Sequence, residues 1–438
     1  MSGLQMAGLV FALMLFFMVL RLPIAVAMFG AGAIGYGLQS GWPTLASFLN
    51  SAAFARLTNY DLSVIPLFIL MGNFATRGGL SRALFEFASA LMSRFRGGLA
   101  MGSVLACAAF GAICGSAVAT AATITRVAYP ELRRHGYSGQ FASGVMAAGG
   151  TLGILIPPSV PLIIYAILTE QNIAKLFAAA VVPGLIATVG YIVAIAVYVR
   201  WSPGHAPERD AVRAVSRAAL RAVLPVGLNF IVVFGGIYGG IFNPTEGAAV
   251  GTGATLLAAV LGGEMSWQDF RQSFLDTAEV SVMIFMIFLG ADIMNAALAL
   301  TQLPTQLGAL VNSWHLAPTV LVALILLLYV VLGAVMDELS MILLTIPIFF
   351  PIVIGLDFGM PRESVALWFG VMVLMTVGFG LLAPPVGLNV YVVNGICKDV
   401  SMAQSYRGVM PFLISDTLRT LLLLLFPSIS LVFVKLVM

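Results

Sequence analysis

Two stretches rich in glycine and proline, each inside a long apolar segment, are the strongest candidates for chemistry in this chain. Residues 149–161 read GGTLGILIPPSVP, and residues 378–389 read GFGLLAPPVGLN. Proline has no N–H to donate and clashes with the preceding turn, so each Pro-Pro pair predicts a break in a helix. In a bilayer, freed amides and carbonyls are tolerated only where they are buried in protein or line a polar cavity. Two such breaks at matching places in two halves of a chain indicate a transporter's binding site.

The chemistry of such breaks is the binding of small ions. Half-helix N-termini carry partial positive charge and free N–H groups, which suit a carboxylate. The freed carbonyls suit a hard cation such as Na⁺. A kink that only relieves helix packing is the alternative for one break, but two matched copies favour a site. Five side chains add oxygens or donors near the breaks and the turns that face them, namely Ser116, Thr151, Ser159, Ser340 and Asn389.

Among the acidic residues, Asp337 is the strongest candidate for a functional role. An acid near membrane depth is costly and is usually functional or paired, so Asp337 is expected at a cation site or as a proton carrier. In the alternative, Asp337 caps a hairpin turn and Glu338 faces the lipid headgroups. Asp292 is expected to be a structural or interfacial acid. Glu246, two residues after Pro244, is expected at the start of a helix, where an acid complements the dipole.

The composition restricts the class of protein. Of 438 residues, 61% are hydrophobic and only 9% are charged, with a net charge of +3, which is too little charge to cover a water-facing surface. The chain is therefore predicted to be an all-α polytopic membrane protein. The three cysteines and three histidines suggest no zinc site or disulfide framework, and the glycine-rich stretches lack a P-loop ending. No cofactor, no metal beyond Na⁺ and no nucleic-acid partner are expected.

An enzyme is not expected either. An intramembrane aspartyl protease needs two facing acids, and the only plausible pair, Asp292 and Asp337, lies in no protease-like motif.

Ten membrane spans are predicted, the last of them one span over about 409–437. Two further apolar stretches, about 97–130 and about 318–351, contain small residues or an acid near their midpoints and are predicted to be re-entrant hairpins. The other spans are predicted at about 5–20, 23–39, 62–76, 139–169, 177–199, 222–242, 246–262, 277–300 and 364–396.

The distribution of basic residues supports this topology. If the N-terminus is periplasmic and neither hairpin crosses, 16 of the 21 Lys and Arg residues fall on the cytoplasmic side, where the basic excess is expected. Making either hairpin a true crossing would place basic clusters outside. Both termini are therefore predicted to be periplasmic.

Repeated proline spacing indicates an internal duplication. Pro23 and Pro244 are 221 residues apart, as are Pro130 and Pro351, and the Pro-Pro pairs are 227 apart. Five crossings per half are an odd number, so the second repeat must be inverted relative to the first. The predicted organisation is a first repeat at 1–199 with a broken helix at about 139–169, a cytoplasmic amphipathic linker at 200–221, and a second repeat at 222–438 with a broken helix at about 364–396.

Five motifs together resemble the large membrane subunit of tripartite ATP-independent periplasmic (TRAP) transporters, the DctM type within the ion-transporter superfamily. They are GSAVATAATI, GILIPPSVPLIIYA, NPTEGAAVG, GAVMDELSMILLTIPIFFPI and APPVGLN. The resemblance implies a multi-pass protein of the bacterial inner membrane and an elevator-type secondary transporter that uses a Na⁺ gradient to import a small organic acid. It also implies two partners, a separate small four-helix membrane subunit and a periplasmic substrate-binding protein. A stand-alone organic anion symporter, coupled to Na⁺ or H⁺, is the alternative.

The resemblance and the residue chemistry together give a predicted site. Many members of the family that this chain resembles carry threonine at the position of Ala383. If that hydroxyl ligates the second cation, the cation stoichiometry of this chain is an open question. The substrate contacts are expected at Ser116, Thr151, Pro158, Ser159 and Asn389. The cation sites are expected at Gly115, Ser116, Gly149, Gly153 and Pro157 in the first half, and at Gly333, Asp337, Gly378, Ala383 and Gly387 in the second.

Overall fold

The computed structural model describes residues 3–207, 217–303, 306 and 316–437, and these contain 19 α-helices and no β-strand. The first half has α1 (Gly3–Val19), α2 (Ile24–Ser40), α3 (Trp42–Leu57), α4 (Val64–Arg77), α5 (Leu80–Met92), α6 (Gly98–Cys114), α7 (Ala117–Arg134), α8 (Gly139–Leu155), α9 (Val160–Leu168) and α10 (Ile173–Trp201). The second half has α11 (Arg217–Tyr238), α12 (Pro244–Leu261), α13 (Trp267–Leu300), α14 (Pro318–Gly333), α15 (Glu338–Ile354), α16 (Arg362–Gly380), α17 (Leu388–Ile396), α18 (Met402–Leu425) and α19 (Ser428–Val437).

Local capping chemistry explains where many of these helices begin. Asn243 caps α12 and forms a reciprocal capping box with Glu246, which confirms the expectation that Glu246 starts a helix. Ser266 and Asp269 form the same box at α13. Ser159 caps α9 by accepting a hydrogen bond from the Leu162 amide.

Several helices are long and apolar enough to cross a bilayer, so the chain is a multi-pass membrane protein. Among the described residues these are α10, α13, α16 and α18, and two bent pairs pass the same criterion together. One pair joins α3 to residues 60–77 at 54°, and the other joins α8 to α9 at 40°. The sequence prediction missed α3 and α5. The single last span at 409–437 is also wrong, because α18 ends at Leu425 and α19 begins at Ser428, after Pro427, which cannot continue a helix.

The two halves repeat the same order of elements, as the proline offsets predict. The helix pairs α6–α7 and α14–α15 correspond, as do the interrupted helices α8–α9 and α16–α17. The fold is all-α and built from two inverted-topology repeats. Small residues let helices of different halves approach closely: a Cβ on Gly32 of α2 would lie 2.6 Å from the Met294 amide nitrogen, and one on Gly290 of α13 would lie 2.5 Å from the Ala25 carbonyl oxygen.

The connection between the halves lies partly outside the described residues. The helix α10 ends at Trp201, a 3₁₀ turn covers Pro203–His205, and α11 begins at Arg217. The Ser138 amide, at the start of α8, donates to the His205 carbonyl oxygen at 3.0 Å. The predicted amphipathic linker helix at 200–221 falls largely on residues 208–216, which the description does not cover, and it stays a prediction.

The outer surface has the composition that a lipid-facing surface requires. On α10, Leu185, Val189, Val193 and Val197 follow one another at intervals of four residues and are all exposed. Residues at this spacing lie on one face of a helix, so α10 presents a continuous apolar stripe outward.

Candidate functional site

The turn of the first hairpin packs directly on the first Pro-Pro break. The helix α6 ends at Cys114, and Gly115 after it adopts a left-handed conformation with φ of +66°. The Gly115 carbonyl oxygen accepts a hydrogen bond from the Val160 amide at 3.2 Å. A Cβ on Gly115 would lie 2.9 Å from the Pro158 carbonyl oxygen, and one on Gly111 would lie 2.6 Å from the Gly153 Cα. Glycine is required here because two backbones touch.

The second hairpin and the second break repeat this arrangement. The Ala334 carbonyl oxygen, in the turn of the hairpin, accepts from the amides of Val386 and Gly387 at 3.2 and 3.3 Å. A Cβ on Gly380 would lie 2.7 Å from the Gly333 Cα. Each break is therefore joined to one hairpin by backbone hydrogen bonds and by a glycine–glycine contact. This pairing is the one that the spacing of the motifs suggests.

Two serines cap the helices that begin at the first turn and the first break. Ser116 precedes α7 and accepts from the Ala119 amide at 3.5 Å. At α9 the first amides are already occupied: Val160 donates to Gly115, Pro161 has no N–H, and Leu162 donates to the Ser159 hydroxyl at 3.4 Å. The start of α9 therefore offers an anion no free amide, and at the start of α7 the Ala119 amide is likewise taken by Ser116.

The two adjacent acids of the second hairpin have different environments. Asp337 precedes α15 and accepts with Oδ2 from the amides of Leu339 and Ser340, at 3.1 and 3.0 Å, so it is a helix cap. The capping alternative supposed that Glu338 faces the lipid headgroups, but Glu338 is buried. It is only 6% exposed, and it lies close to Ser116 and Ala117 at the start of α7. Sequence reasoning missed this contact, because it joins residues more than 200 positions apart.

The two interrupted helices meet at equivalent positions. A Cβ on Gly378 of α16 would lie 3.5 Å from the Thr151 Cβ of α8, and these two positions are related by the same offset of 227 as the prolines. Asn389, at the start of α17, is fully buried and donates from Nδ2 to the Ala147 carbonyl oxygen at 3.3 Å. The helices α8 and α16 and the start of α17 thus belong to one packed centre, while Pro384, Pro385 and Val386 of the second break are exposed.

Thr151 is turned toward a buried polar chain rather than toward the hairpin turns. Its hydroxyl donates to the Ala148 carbonyl oxygen at 2.7 Å and lies 3.0 Å from the Tyr191 hydroxyl. Tyr191 donates to Asp416 at 2.9 Å, and Asp416 pairs with Arg419 at 2.9 Å. Sequence reasoning missed Asp416, although its i, i+3 spacing from Arg419 inside an apolar segment is a recognisable signal.

The remaining predicted site residues lie in three places. Pro158 and Ser159 are buried beside Gly115, and a Cβ on Gly153 would lie 2.6 Å from the Ser116 carbonyl oxygen, so these residues share one centre. Gly149 lies one turn further along α8, where a Cβ would meet the Cys107 sulfur at 2.7 Å. Pro157 is buried in the first break, and Ala383 and Gly387 are buried in the second.

Asp292, expected to be structural, pairs with Arg56 in a crevice. The Arg56 Nε donates to Asp292 Oδ2 at 2.7 Å. Both line a polar cavity of about 730 Å³ that also includes Glu170 and Asn295. Across the described ranges, no group of three or more His, Cys, Asp or Glu side chains is placed to hold a metal ion.

Comparison with known proteins identifies relatives over nearly the whole chain. Residues 11–429 match the family model described as the tripartite ATP-independent periplasmic transporter, DctM component. The C4-dicarboxylate TRAP transporter large permease protein DctM of Pseudomonas aeruginosa is 32% identical over 380 residues, covering 86% of this chain and 87% of that protein. The sialic acid TRAP transporter large permease protein SiaM of Vibrio cholerae is 29% identical, covering 86% of each chain.

One further relative and one solved structure complete the comparison. The isethionate TRAP transporter permease protein DctMQ of Oleidesulfovibrio alaskensis is 29% identical over 95% of this chain and 64% of that protein. The Alcanivorax borkumensis YdaH transporter has a similar fold, with a TM-score of 0.68 over 92% of this chain and 96% of that one. At 12% sequence identity, the likeness to YdaH concerns the fold alone.

Proposed function

The chain belongs to the DctM family of TRAP transporter large permeases, and on this premise we propose that it carries out Na⁺-coupled uptake of a small organic acid. The observation that supports the proposal most directly is the double pairing of hairpin turn and helix break, at Gly115 with Val160 and at Ala334 with Val386. Each pairing brings carbonyl oxygens and helix N-termini together, at a buried break in the first half and at a break whose Pro384, Pro385 and Val386 are exposed in the second. Membrane transporters bind ions at such interrupted helices.

The organic acid would bind where positive helix ends converge. The start of α7 at Ser116 and the start of α17 at Asn389 lie in the packed centre, and helix N-termini favour carboxylates. The coupling cations would bind at the two turns, through backbone carbonyl oxygens and, in the second half, through Asp337. Because residue 383 is alanine, the second cation site would rely on backbone oxygens at that position.

Transport would follow an elevator mechanism. The two hairpins and two interrupted helices are held together by backbone contacts, and α8 packs on α18 so closely that a Cβ on Gly144 would lie 2.2 Å from the Gly408 carbonyl oxygen. Such an assembly suits motion as one body. The helices α2, α4, α12 and α13 pack on one another and would form the static frame. The protein would lie in the bacterial inner membrane with both termini periplasmic.

Two partner proteins are proposed, a small four-helix membrane subunit and a periplasmic substrate-binding protein that selects and delivers the acid. The family membership supports both partners. The relative named DctMQ is a longer protein, of which the match with this chain covers 64%.

Reconstitution tests the proposal directly. Proteoliposomes that contain this chain, its small subunit and its binding protein should accumulate a labelled organic acid when a Na⁺ gradient is imposed, and not when K⁺ replaces Na⁺. Omitting the binding protein or the small subunit should abolish uptake. Robust uptake by this chain alone would instead establish the stand-alone symporter, and uptake that ignores Na⁺ would refute Na⁺ coupling.

A further inference from the structure

A groove between α5, α11 and α12 is separate from the hairpin turns and the helix breaks. Its volume is about 760 Å³. The apolar wall of the groove includes the exposed side chains of Leu224 and Leu228 on α11 and of Leu257 and Leu261 on α12. An exposed apolar surface of this kind marks a contact with the membrane or with another protein, so a lipid and a partner helix are the two ligands to weigh.

Four charged side chains line the same groove, two basic and two acidic, namely Arg82, Glu86, Arg221 and Glu264. All four are exposed. Glu264 lies against the turn between α4 and α5, where a Cβ on Gly79 would be 3.3 Å from the Glu264 Cγ. Within the described part of the chain, none of these four side chains forms a salt bridge or a hydrogen bond. The groove thus presents two guanidinium groups and two carboxylates that are free to bind a ligand.

The length of the groove distinguishes a lipid from a helix. Along α11 its lining runs from Arg221 to Val232, which is about 16 Å at a rise of about 1.5 Å per residue. One leaflet is half of the hydrocarbon core of about 30 Å, or about 15 Å. A transmembrane helix of another protein would need a groove through both leaflets. The groove therefore fits the acyl chain of a phospholipid from one leaflet, with the head group at the Arg221 end.

We propose that this groove is a specific binding site for phosphatidylethanolamine. The phosphate accepts hydrogen bonds from the guanidinium groups of Arg82 and Arg221, and the ammonium group donates to the carboxylates of Glu86 and Glu264. Phosphatidylglycerol has the phosphate but no cation, so it leaves both carboxylates facing an anion. The quaternary ammonium of phosphatidylcholine has no N–H to donate. The inference does not depend on Na⁺ coupling or on which acid is transported.

Native mass spectrometry of the full chain tests this with defined lipids. The chain is delipidated in detergent and titrated separately with dioleoyl phosphatidylethanolamine, phosphatidylglycerol and phosphatidylcholine, and the apparent dissociation constant of the first bound lipid is measured. Wild type should bind phosphatidylethanolamine about three- to tenfold more tightly than the other two, a modest preference because exposed charges are screened. Glu86→Gln with Glu264→Gln should remove the preference over phosphatidylglycerol. Arg82→Gln with Arg221→Gln should weaken the binding of all three lipids.

A matched pair of variants locates the site. Leu228→Trp fills the groove and should weaken the binding of all three lipids, whereas Leu185→Trp, on the outer stripe of α10, should leave the constants unchanged. Leu228 and Leu185 are 59% and 58% exposed, so the two changes differ in place and not in burial. Equal constants for the three lipids in wild type, or tighter binding of phosphatidylglycerol, would overturn the inference. Release of the bound lipid when the small membrane subunit is added would also overturn it, because the groove would then be a subunit interface.

Discussion

Replacing Asp337 separates two roles that one side chain can have. The Asp337 carboxylate caps α15 through the amides of Leu339 and Ser340. Asparagine caps helices about as well as aspartate, so Asp337→Asn keeps the cap and removes the charge. Asp337→Ala removes both. If Asp337 also binds the coupling cation, the two variants should lose Na⁺ affinity equally and differ in stability.

The expected magnitudes follow from the geometry. Losing an N-cap costs about 0.5–2 kcal/mol, so Asp337→Ala should lower the free energy of unfolding by that amount. In Asp337→Asn only the interaction of the charge with the helix dipole is lost, about 0.3–1 kcal/mol. Removing an anionic ligand from a partly buried site should weaken Na⁺ binding by about ten- to a hundredfold, since each 1.4 kcal/mol is about a factor of ten.

Two measurements check this reasoning. The Na⁺ concentration that gives half-maximal uptake in proteoliposomes with both partner proteins reports on the cation site. The thermal unfolding temperature in KCl reports on the cap without the coupling ion. A Na⁺ requirement in Asp337→Asn equal to that of wild type would remove Asp337 from the cation site. Equal destabilisation of the two variants would refute the capping argument.

Three further predictions concern packing, a buried ion pair and pH. Gly111→Ala places a Cβ 2.6 Å from the Gly153 Cα and should destabilise the protein by about 1–3 kcal/mol. Its control, Gly253→Ala, has open space around the new Cβ and should raise the thermal unfolding temperature slightly. Equal unfolding temperatures for the two variants would contradict the close approach at Gly111. Asp416→Asn leaves the Arg419 guanidinium buried without its counter-ion and should cost about 3–5 kcal/mol in chemical unfolding, and a loss below about 1 kcal/mol would show the pair to be dispensable. The hydrogen bond from the Tyr129 hydroxyl, aided by Arg133, lowers the pKa of the Asp399 carboxyl, so its stabilisation is present above the unfolded pKa of about 3.9 and is lost as the pH falls through the lower folded value. Because Asp399 is about half exposed, Asp399→Asn should cost less than about 1 kcal/mol at pH 7, and the difference from wild type should shrink as the pH falls below about 3.9. A difference that does not decrease with falling pH would contradict the charged role.

Local chain chemistry made much of the fold readable from the sequence. The breaks at 157–158 and 384–385 follow from proline, which lacks an N–H and ends a helix wherever the chain places it. The role of Glu246 follows from a capping box whose partners are three residues apart. The missed helix α3 carries little periodic signal, because its polar residues are scattered around the helix. The missed helix α5 did carry one, since its buried residues Leu80, Leu84 and Ala88 recur every four positions, as in an amphipathic helix.

The tertiary structure decided what each candidate side chain faces. Thr151 contacts Tyr191, the N-terminus of α9 has its amides occupied, and Glu338 is buried against the first hairpin. None of these could be read from spacing, because each depends on how elements from distant parts of the chain pack. The sequence by itself determined where the backbone opens and which family the chain belongs to. The packing of two inverted repeats determined which helix-end amides are occupied and buried Glu338 close to the start of α7.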